Sequence, residues 1–301
     1  MDRYSITIFT PTYNRAHTLP ELYQSLCFQS CKDFEWIVVD DGSTDSTKSL
    51  VEGWMGEKKI AIRYFYQENA GKMAAHNLAV DHSRSDWFMC LDSDDKLFDQ
   101  HVVDNCIHFW QQMSASLSEE VLSKVCGIIS YKSIRENHNL FPRGMQNVHL
   151  SELRRSGYKG ETIIMVKSAI LTSHKFPHFQ GEKFVTDTYL YEQLDKDHTF
   201  LLMDSPTQIC KYNPDGYSFN YRRLLFSNPL GYRAYHDQRI ALGQDGKLKS
   251  AICYDAISIR IGMKSFLSSS SAPLLCILML PAGFCKYLID SYHLKTFKSL
   301  C

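Results

Sequence analysis

The amino-acid sequence predicts an α/β fold: a mostly parallel sheet with helices on both faces, continued at the C-terminus by a helical extension. Three observations lead there. Short apolar runs of strand length alternate with helix-spaced segments through about the first hundred residues. Each run ends in a polar turn built from Asp, Asn, Gly or Thr. From Asn228 onward only helical spacing remains.

The elements follow in order. Tyr4–Phe9 is a short run rich in Ile and predicts a buried strand. Thr18-Leu19-Pro20-Glu21 has the form of a capping box with Pro in the first turn, so a helix starts there. Phe34–Val39 is a second strand, and Ser43 to Asp45 cap a helix running to Met55. Ile60–Tyr66 alternates as a third strand, Gly71–His82 is helical, Trp87–Leu91 is a fourth strand and Asp99–Met113 a helix. Further on, Arg135–Arg155 is polar and predicts loops over the site. Glu161–Val166 is a strand, Lys167–Ser173 a short helix, Val185–Leu194 a helix, and Thr199–Met203 and Thr207–Tyr212 two strands. Gly231–Leu242 and Leu248–Phe266 are helices, and Ser268–Ser271 is a linker to an apolar tail. Ligands of such sheets bind beyond the carboxyl ends of the strands. Thr10–Asn14, Asp40–Ser43, Gln67–Gly71 and Asp92–Asp95 each directly follow a strand, so all four should line one crevice.

Composition sets the outer bounds. A chain of 301 residues, 44% hydrophobic and 22% charged, can bury a real core. Its formal net charge is zero, which removes any global attraction to nucleic acid. The ten cysteines are scattered without a C-x-x-C pair, so buried free thiols in a reducing cytoplasm are expected rather than a zinc or dithiol site. The N-terminus shows no long apolar secretory segment. Pro273–Ile289 is strongly apolar, yet it is shorter than the ~20 residues of a spanning helix and is interrupted by Pro281, Gly283 and Lys286. It suits peripheral membrane contact through 273–289, a helix packed on the main domain, or a homodimer.

The motifs suggest chemistry. Asp92-Ser93-Asp94-Asp95 places three carboxylates within four residues. Water or a divalent cation must offset that crowding, and Mg²⁺ or Mn²⁺ takes carboxylate and phosphate oxygens while keeping some waters. Asp40 and Asp41 can accept the N–H of a nucleobase edge, while Gly42 permits a tight turn. Thr12 and Tyr13 suit hydrogen bonding and stacking on a base. Asn69-Ala70-Gly71-Lys72 opens a helix, where amides and a lysine favour phosphate. Each motif also has a plainer reading: a solvated acidic loop, a helix cap, an ordinary strand-to-helix turn.

Taken in order, PTYNR, VVDDGSTD, ENAGKMAAHN and FMCLDSDD resemble the inverting glycosyltransferase family 2, whose fold is the Rossmann-like GT-A arrangement. The resemblance implies a nucleotide-sugar donor, usually a UDP-sugar, and a Mn²⁺ or Mg²⁺ ion. By that resemblance Thr10, Pro11, Thr12, Tyr13, Asn14, Asp40, Asp41, Asn69, Gly71, Lys72, Asp92 and Ser93 line the donor. Asp94, with Asp92, would hold the metal. The second half is similar to a bacterial polysaccharide-biosynthesis subgroup through Gly181–Asp187, Tyr212–Ser218 and Asn228–Gly231. Asp187 stands where that subgroup has its catalytic base, more often Glu, and Glu182 is the alternative. The implied layout is a donor half at 1–115, an acceptor and catalytic half at 116–225 and a helical extension with an apolar tail at 226–301. The implied reaction moves sugar to a hydroxyl of a glycan or lipid-linked acceptor, in the cytoplasm or peripherally on the inner face of the cell membrane.

Two rivals stand beside it. A haloacid-dehalogenase-like phosphatase would use Asp92 as nucleophile and Asp94 as general acid. A non-catalytic protein would merely bind sugar nucleotides. Tyr212, Tyr217 and Phe219 are candidates for stacking on acceptor sugars, and Arg222, Arg223 and Arg233 for holding phosphate.

Overall fold

The first strand, β1 (Ile6–Thr12), is the hub of a nine-stranded sheet in the computed structural model, which describes residues 3–133, 140–210, 217–243 and 246–298. β1 pairs in parallel with β2 (Phe34–Asp40) on one side and β4 (Trp87–Cys90) on the other. β3 (Ala61–Tyr66) lies parallel outside β2. The order β3-β2-β1-β4 therefore reverses direction between β1 and β4. At such a switch point the two connections leave a crevice at the carboxyl ends of the strands.

The helices fill both faces because crossovers are right-handed. α1 (Leu19–Cys27) and α2 (Thr47–Glu57) cover the face bearing Ile6, Ile8, Trp36 and Val38. Tyr23 of α1 stacks on Trp54 of α2 at 4.3 Å, and both lie near Trp36. α3 (Lys72–His82) runs back over the opposite face, where His76 meets Phe9 and Phe88 edge-on. Leu19 opens α1 as expected, but no capping box forms: Thr18 has helical backbone angles and its hydroxyl turns back to Arg15 O. Ser43 likewise caps no helix. Its hydroxyl accepts the Asn14 N–H at 2.8 Å, and Asp45 takes the Thr47 N–H at the start of α2.

Beyond β4 the sheet turns mixed. β5 (Lys96–Leu97) precedes α4 (Val102–Ser116) and α5 (Glu119–Lys124), and β6 (Val125–Ser133) follows. β8 (Thr162–Lys167) enters antiparallel between β4 and β6, and β9 (Thr199–Ile209) lies parallel to β6. β7 (Asn147–Val148) and β5 both run against β9. Six of the nine strands point one way. Two expectations need correction. Thr199–Met203 and Thr207–Ile209 belong to one strand, since Pro206 is absorbed at a register shift against Tyr131; Tyr212 lies outside the described residues. The end of Arg135–Arg155 does not cover the site. β7 and α6 (Leu150–Arg155) pack at the amino end of β9, the opposite edge, where Asp195 accepts the Leu150 and Ser151 amides; residues 134–139 lie outside the described residues.

By internal packing the chain forms two units: residues 1–176 with 190–219, which hold the sheet, and residues 177–189 with 220–301. α7 (Ser168–Leu171) belongs to the first, and α8 (Thr188–Asp197) and α9 (Tyr217–Ser227) straddle the division. In the second unit α10 (Pro229–Ala241), α11 (Lys247–Arg260) and α12 (Pro273–Lys298) enclose Ile240, Ala251, Tyr254, Phe266 and Cys276. Glu182 accepts the Leu230 and Gly231 amides at 2.7 and 2.8 Å and so caps α10. The apolar tail is not interrupted. It is one helix of 26 residues, in which Pro281 faces outward. A side chain at Gly283 would meet Asp255 of α11 at 2.3 Å, so the glycine marks the closest approach of the two helices rather than a break.

Gly127 allows β6 to bulge between its neighbours: an added Cβ would lie 2.7 Å from Met165 O and 2.8 Å from Phe200. Gly127→Ala is expected to cost about 1–3 kcal/mol of stability through this overpacking. Urea unfolding followed by circular dichroism measures it, and an unchanged midpoint would contradict the packing described.

Candidate active site

The four segments at the carboxyl ends of β1 to β4 are tied to one another by side chains. Asn14 adopts a left-handed conformation (φ 54°), which asparagine tolerates. Its Oδ1 accepts the Thr44 N–H at 2.8 Å, joining the β1 turn to the β2 turn. Asp40 is buried, with its oxygens taken by the Ser43 N–H and the Tyr64 hydroxyl, both at 2.7 Å. Asp41 holds the third segment. Its Oδ1 accepts from Gln67 Nε2 and Ala70 N at 2.7 Å, and its Oδ2 accepts from Gly71 N at 2.9 Å. Asn69 Nδ2 donates to the Asp41 carbonyl. Gly42 (φ 86°) permits this closeness, because a Cβ there would sit 3.0 Å from Asn69 N.

Lys72, the first residue of α3, donates to Asp92 Oδ1 at 2.5 Å and brings the fourth segment in. Asp92 is one-third exposed. Burial would raise its pKa, but the charges of Lys72 and Lys132 and hydrogen bonds from Lys72 and Cys90 bring it down to about 2. Asp92 is thus ionised at any working pH. Asp95 is buried, which pushes its pKa up, and Lys132 Nζ, 3.0 Å away, offsets this. Burial disfavours the Lys132 charge, yet Asp92 and Asp95 outweigh it and raise its pKa. Cys210 Sγ completes this knot, 3.5 Å from Asp95 and 3.4 Å from Lys132. Gln208 of β9 donates to the Cys90 carbonyl at 2.8 Å.

Of the residues expected to line a donor, Tyr13 is exposed, Pro11, Asn14 and Asp94 are half-buried, and Ser93 is buried. Pro11 sits beyond the last β1–β4 pair, where its missing N–H costs no ladder bond. The Thr12 hydroxyl is buried with no hydrogen-bond partner, an open valence at the end of β1. Thr10 is corrected: it is buried and its hydroxyl accepts the Trp36 indole N–H at 3.0 Å, so it braces the sheet. Asn69 and Gly71 are turned toward Asp41, not outward as phosphate donors. In the second unit Asp187 is exposed, immediately precedes α8 and accepts the Thr188 N–H at 2.7 Å. Glu182, the alternative base, is committed to capping α10. Arg233 is held by the Lys264 carbonyl rather than standing free for phosphate. The side chains of Tyr217 and Phe219, like all of Tyr212–Gly216, lie outside the described residues.

Lys132, Cys210 and Gln208 were not foreseen from the sequence. A signal existed for one of them: Val125-Cys126-Gly127-Ile128-Ile129 is a continuous apolar run of strand length that ends near Lys132. Which acids that lysine would meet depends on strand order.

The profile of Glycosyl transferase family 2 matches residues 7–118. Residues 7–118 are a family 2 glycosyl transferase domain. An uncharacterized glycosyltransferase of Rickettsia felis is 32% identical over 120 residues, which are 40% of this chain and 19% of that protein. The chain thus spans a minor part of the first curated relatives it matches. A GalNAc(5)-diNAcBac-PP-undecaprenol beta-1,3-glucosyltransferase of Campylobacter jejuni is 25% identical over 243 residues, 75% of this chain and 71% of the relative. Among solved structures, S. aureus TarS 1-349 in complex with UDP-GlcNAc superposes with a TM-score of 0.60 at 15% identity, covering 95% of this chain and 89% of that one. The mannosyltransferase PcManGT of Pyrobaculum calidifontis, in complex with GDP-Man and Mn²⁺, gives 0.53 at 18% identity over 99% and 81%. The sheet is of the GT-A type, with the helical extension added to it. The match over residues 7–118 favours glycosyl transfer over the phosphatase reading.

Two measurements probe this geometry. Asp41→Ala strands buried amide donors at 70 and 71, and is expected to cost about 2–3 kcal/mol and to speed hydrogen exchange at both. His76 is buried among Phe9, Phe88 and Phe176, and burial holds its pKa near 3, below the ordinary 6.5. The unfolded chain takes up a proton there that the folded chain refuses. Stability is therefore lost as pH falls from 6.5 toward 3, at up to about 1.4 kcal/mol per pH unit from this group. His76→Phe should flatten that acid limb in thermal melts taken between those limits, leaving the part due to the similarly buried His236.

Proposed function

We propose that this chain is an inverting glycosyltransferase. It would move a sugar from a nucleoside-diphosphate sugar, a UDP-sugar, to a hydroxyl of a glycan or lipid-linked acceptor in surface polysaccharide assembly, working from the cytoplasmic side. The observation that carries this is the convergence of four strand-end segments at the β1/β4 switch point of a family 2 domain. There Thr12 has an unused hydroxyl and Asp92 is held ionised beside Lys72. The ligands named for the TarS and PcManGT structures, UDP-GlcNAc and GDP-Man, support a nucleotide-sugar donor. The undecaprenol-linked substrate in the Campylobacter relative's name supports a lipid-linked acceptor.

The donor atoms fit a hard divalent cation. Among the described residues no group of three or more His, Cys, Asp or Glu side chains gathers, so the protein offers the Asp94 and Asp92 carboxylates and little else. Mg²⁺ and Mn²⁺ suit such a set, since substrate phosphates and waters complete their shell. Once bound, the ion would supply positive charge to the leaving diphosphate.

The chain's own residues do the rest. Thr12 hydrogen-bonds the base and Tyr13 lies against it. Asp41 Oδ2, which takes one amide, keeps a lone pair for the base edge. Lys72 neutralises phosphate charge as the bond to the sugar breaks. The acceptor hydroxyl is too weak an acid to ionise alone, so a carboxylate must take its proton during attack. We assign that proton transfer to Asp187, which is exposed, whereas both oxygens of Glu182 are engaged. Attack from the face opposite the nucleotide inverts the anomeric centre and needs no sugar–enzyme bond.

The test is release of nucleoside diphosphate from a panel of nucleotide sugars with Mn²⁺, followed by chromatography. Asp94→Ala and chelation should each abolish release. Asp187→Ala should retain nucleotide binding by calorimetry and lose about 10²- to 10⁴-fold in sugar transfer. Full-rate transfer by Asp187→Ala would remove the base assignment, and chelator-insensitive release would remove the metal.

A further inference from the structure

α12 is apolar on both its inward and its outward side. Its inward side packs Leu275, Cys276, Met279 and Leu280 against the core of the second unit and also carries the charged pair, Lys286 bonding Asp290 at 2.9 Å, while Gly283 abuts Asp255 of α11. Lys286 and Asp290 are the only Lys, Arg, Asp or Glu between positions 273 and 292. The outward side presents Leu274, Ile277, Leu278, Phe284, Leu288 and Ile289, each at least half exposed and Leu274 83% exposed. Across Pro273–Tyr292, a window with mean hydropathy 1.6, 11% is buried. A continuous apolar face of this size calls for an occupant.

Charge selects among occupants. The zero net charge of the chain conceals a division. Residues 177–189 and 220–301 carry twelve Lys and Arg against six Asp and Glu, and the rest of the chain carries 21 against 27. One of those six acids, Asp255, is buried, and burial raises its pKa to about 7, so it contributes less than a full negative charge. A second copy would bring the same cationic unit to the interface and be repelled. An anionic lipid surface gains from both the apolar face and the excess of cations.

We propose that α12 lies in the surface of an anionic lipid bilayer, its outward side sunk into the headgroup–acyl boundary and the basic second unit facing the lipid phosphates. The helix lies along the membrane rather than across it. α11, packed on its inward side, bears Lys247, Lys249 and Arg260, which a spanning arrangement would drag into hydrocarbon. Residues 273–289 thereby act as one of two signals, since a single short apolar element binds membranes only marginally.

The test is flotation of the full chain, without any sugar donor, with vesicles of phosphatidylcholine alone or mixed with phosphatidylglycerol. Its outcome is therefore independent of the proposed reaction. Wild type should float with the anionic vesicles, and about tenfold more weakly with neutral ones, at high salt, or as L278E/I289E. Both substituted positions are exposed, and an unchanged melting temperature certifies the variant's fold. Independently, Phe284→Trp fluorescence should be quenched by brominated acyl chains. Absence of flotation and quenching overturns the proposal, as does flotation that L278E/I289E leaves intact. A vesicle-free dimer that the double variant dissociates, without lipid binding, would assign the face to a second copy instead.

Discussion

Negative charge is concentrated at the carboxyl edge of the sheet, and the rest of the first unit is arranged around neutralising it. Asp40 ends β2, and Asp41, Asp92, Asp94 and Asp95 follow strand ends there. A carboxylate removed from water without compensation costs several kcal/mol, so each needs hydrogen bonds or an opposite charge. Asp40 and Asp41 are satisfied by amides and by the Tyr64 hydroxyl. Asp92 and Asp95 are satisfied by Lys72 and Lys132, which arrive from α3 and β6. Removing either lysine would leave a charge on the wrong side of that balance.

This accounts for the mixed half of the sheet. β6 must lie beyond β8 for Lys132 to reach Asp95, and β9 must lie parallel to β6 for Cys210 and Gln208 to close over the same loop. The parallel half supplies the crevice, and the mixed half supplies the counter-charge and fixes the loop that ends β4. Asp92 is balanced by lysines, while Asp94 beside it is half-buried. A similar division holds in the second unit, where Glu182 is engaged at a helix terminus and Asp187 is exposed.

Much of the parallel half was legible because its signals are local. Buried strands such as Phe34–Val39 read as continuous apolar runs, and the turns after them carry Gly and Asp in recognisable order. The errors share one cause. Thr18, Ser43 and Thr10 have the right chemistry for a cap or a ligand contact, but a hydroxyl's partner is decided by what packs beside it. Pro281 and Gly283 read as helix breakers, yet a proline can face outward and a glycine can serve close packing. Reading the net charge as zero hid a basic unit and an acidic one, because a sum over the chain discards where the charges lie.

The sequence by itself determined the alternation of strands and helices, the four polar segments after β1 to β4, and the family that their order indicates. Those features are written in residue periodicity and short motifs, which neighbouring residues alone specify. Tertiary structure alone decided which acid is paired with which base: Lys132 is 37 residues from Asp95, and Cys210 is 115. It also decided that α12 keeps its charged pair inward and leaves an apolar side exposed. Charge balance and burial are properties of neighbours in space, and strand order and helix packing choose those neighbours.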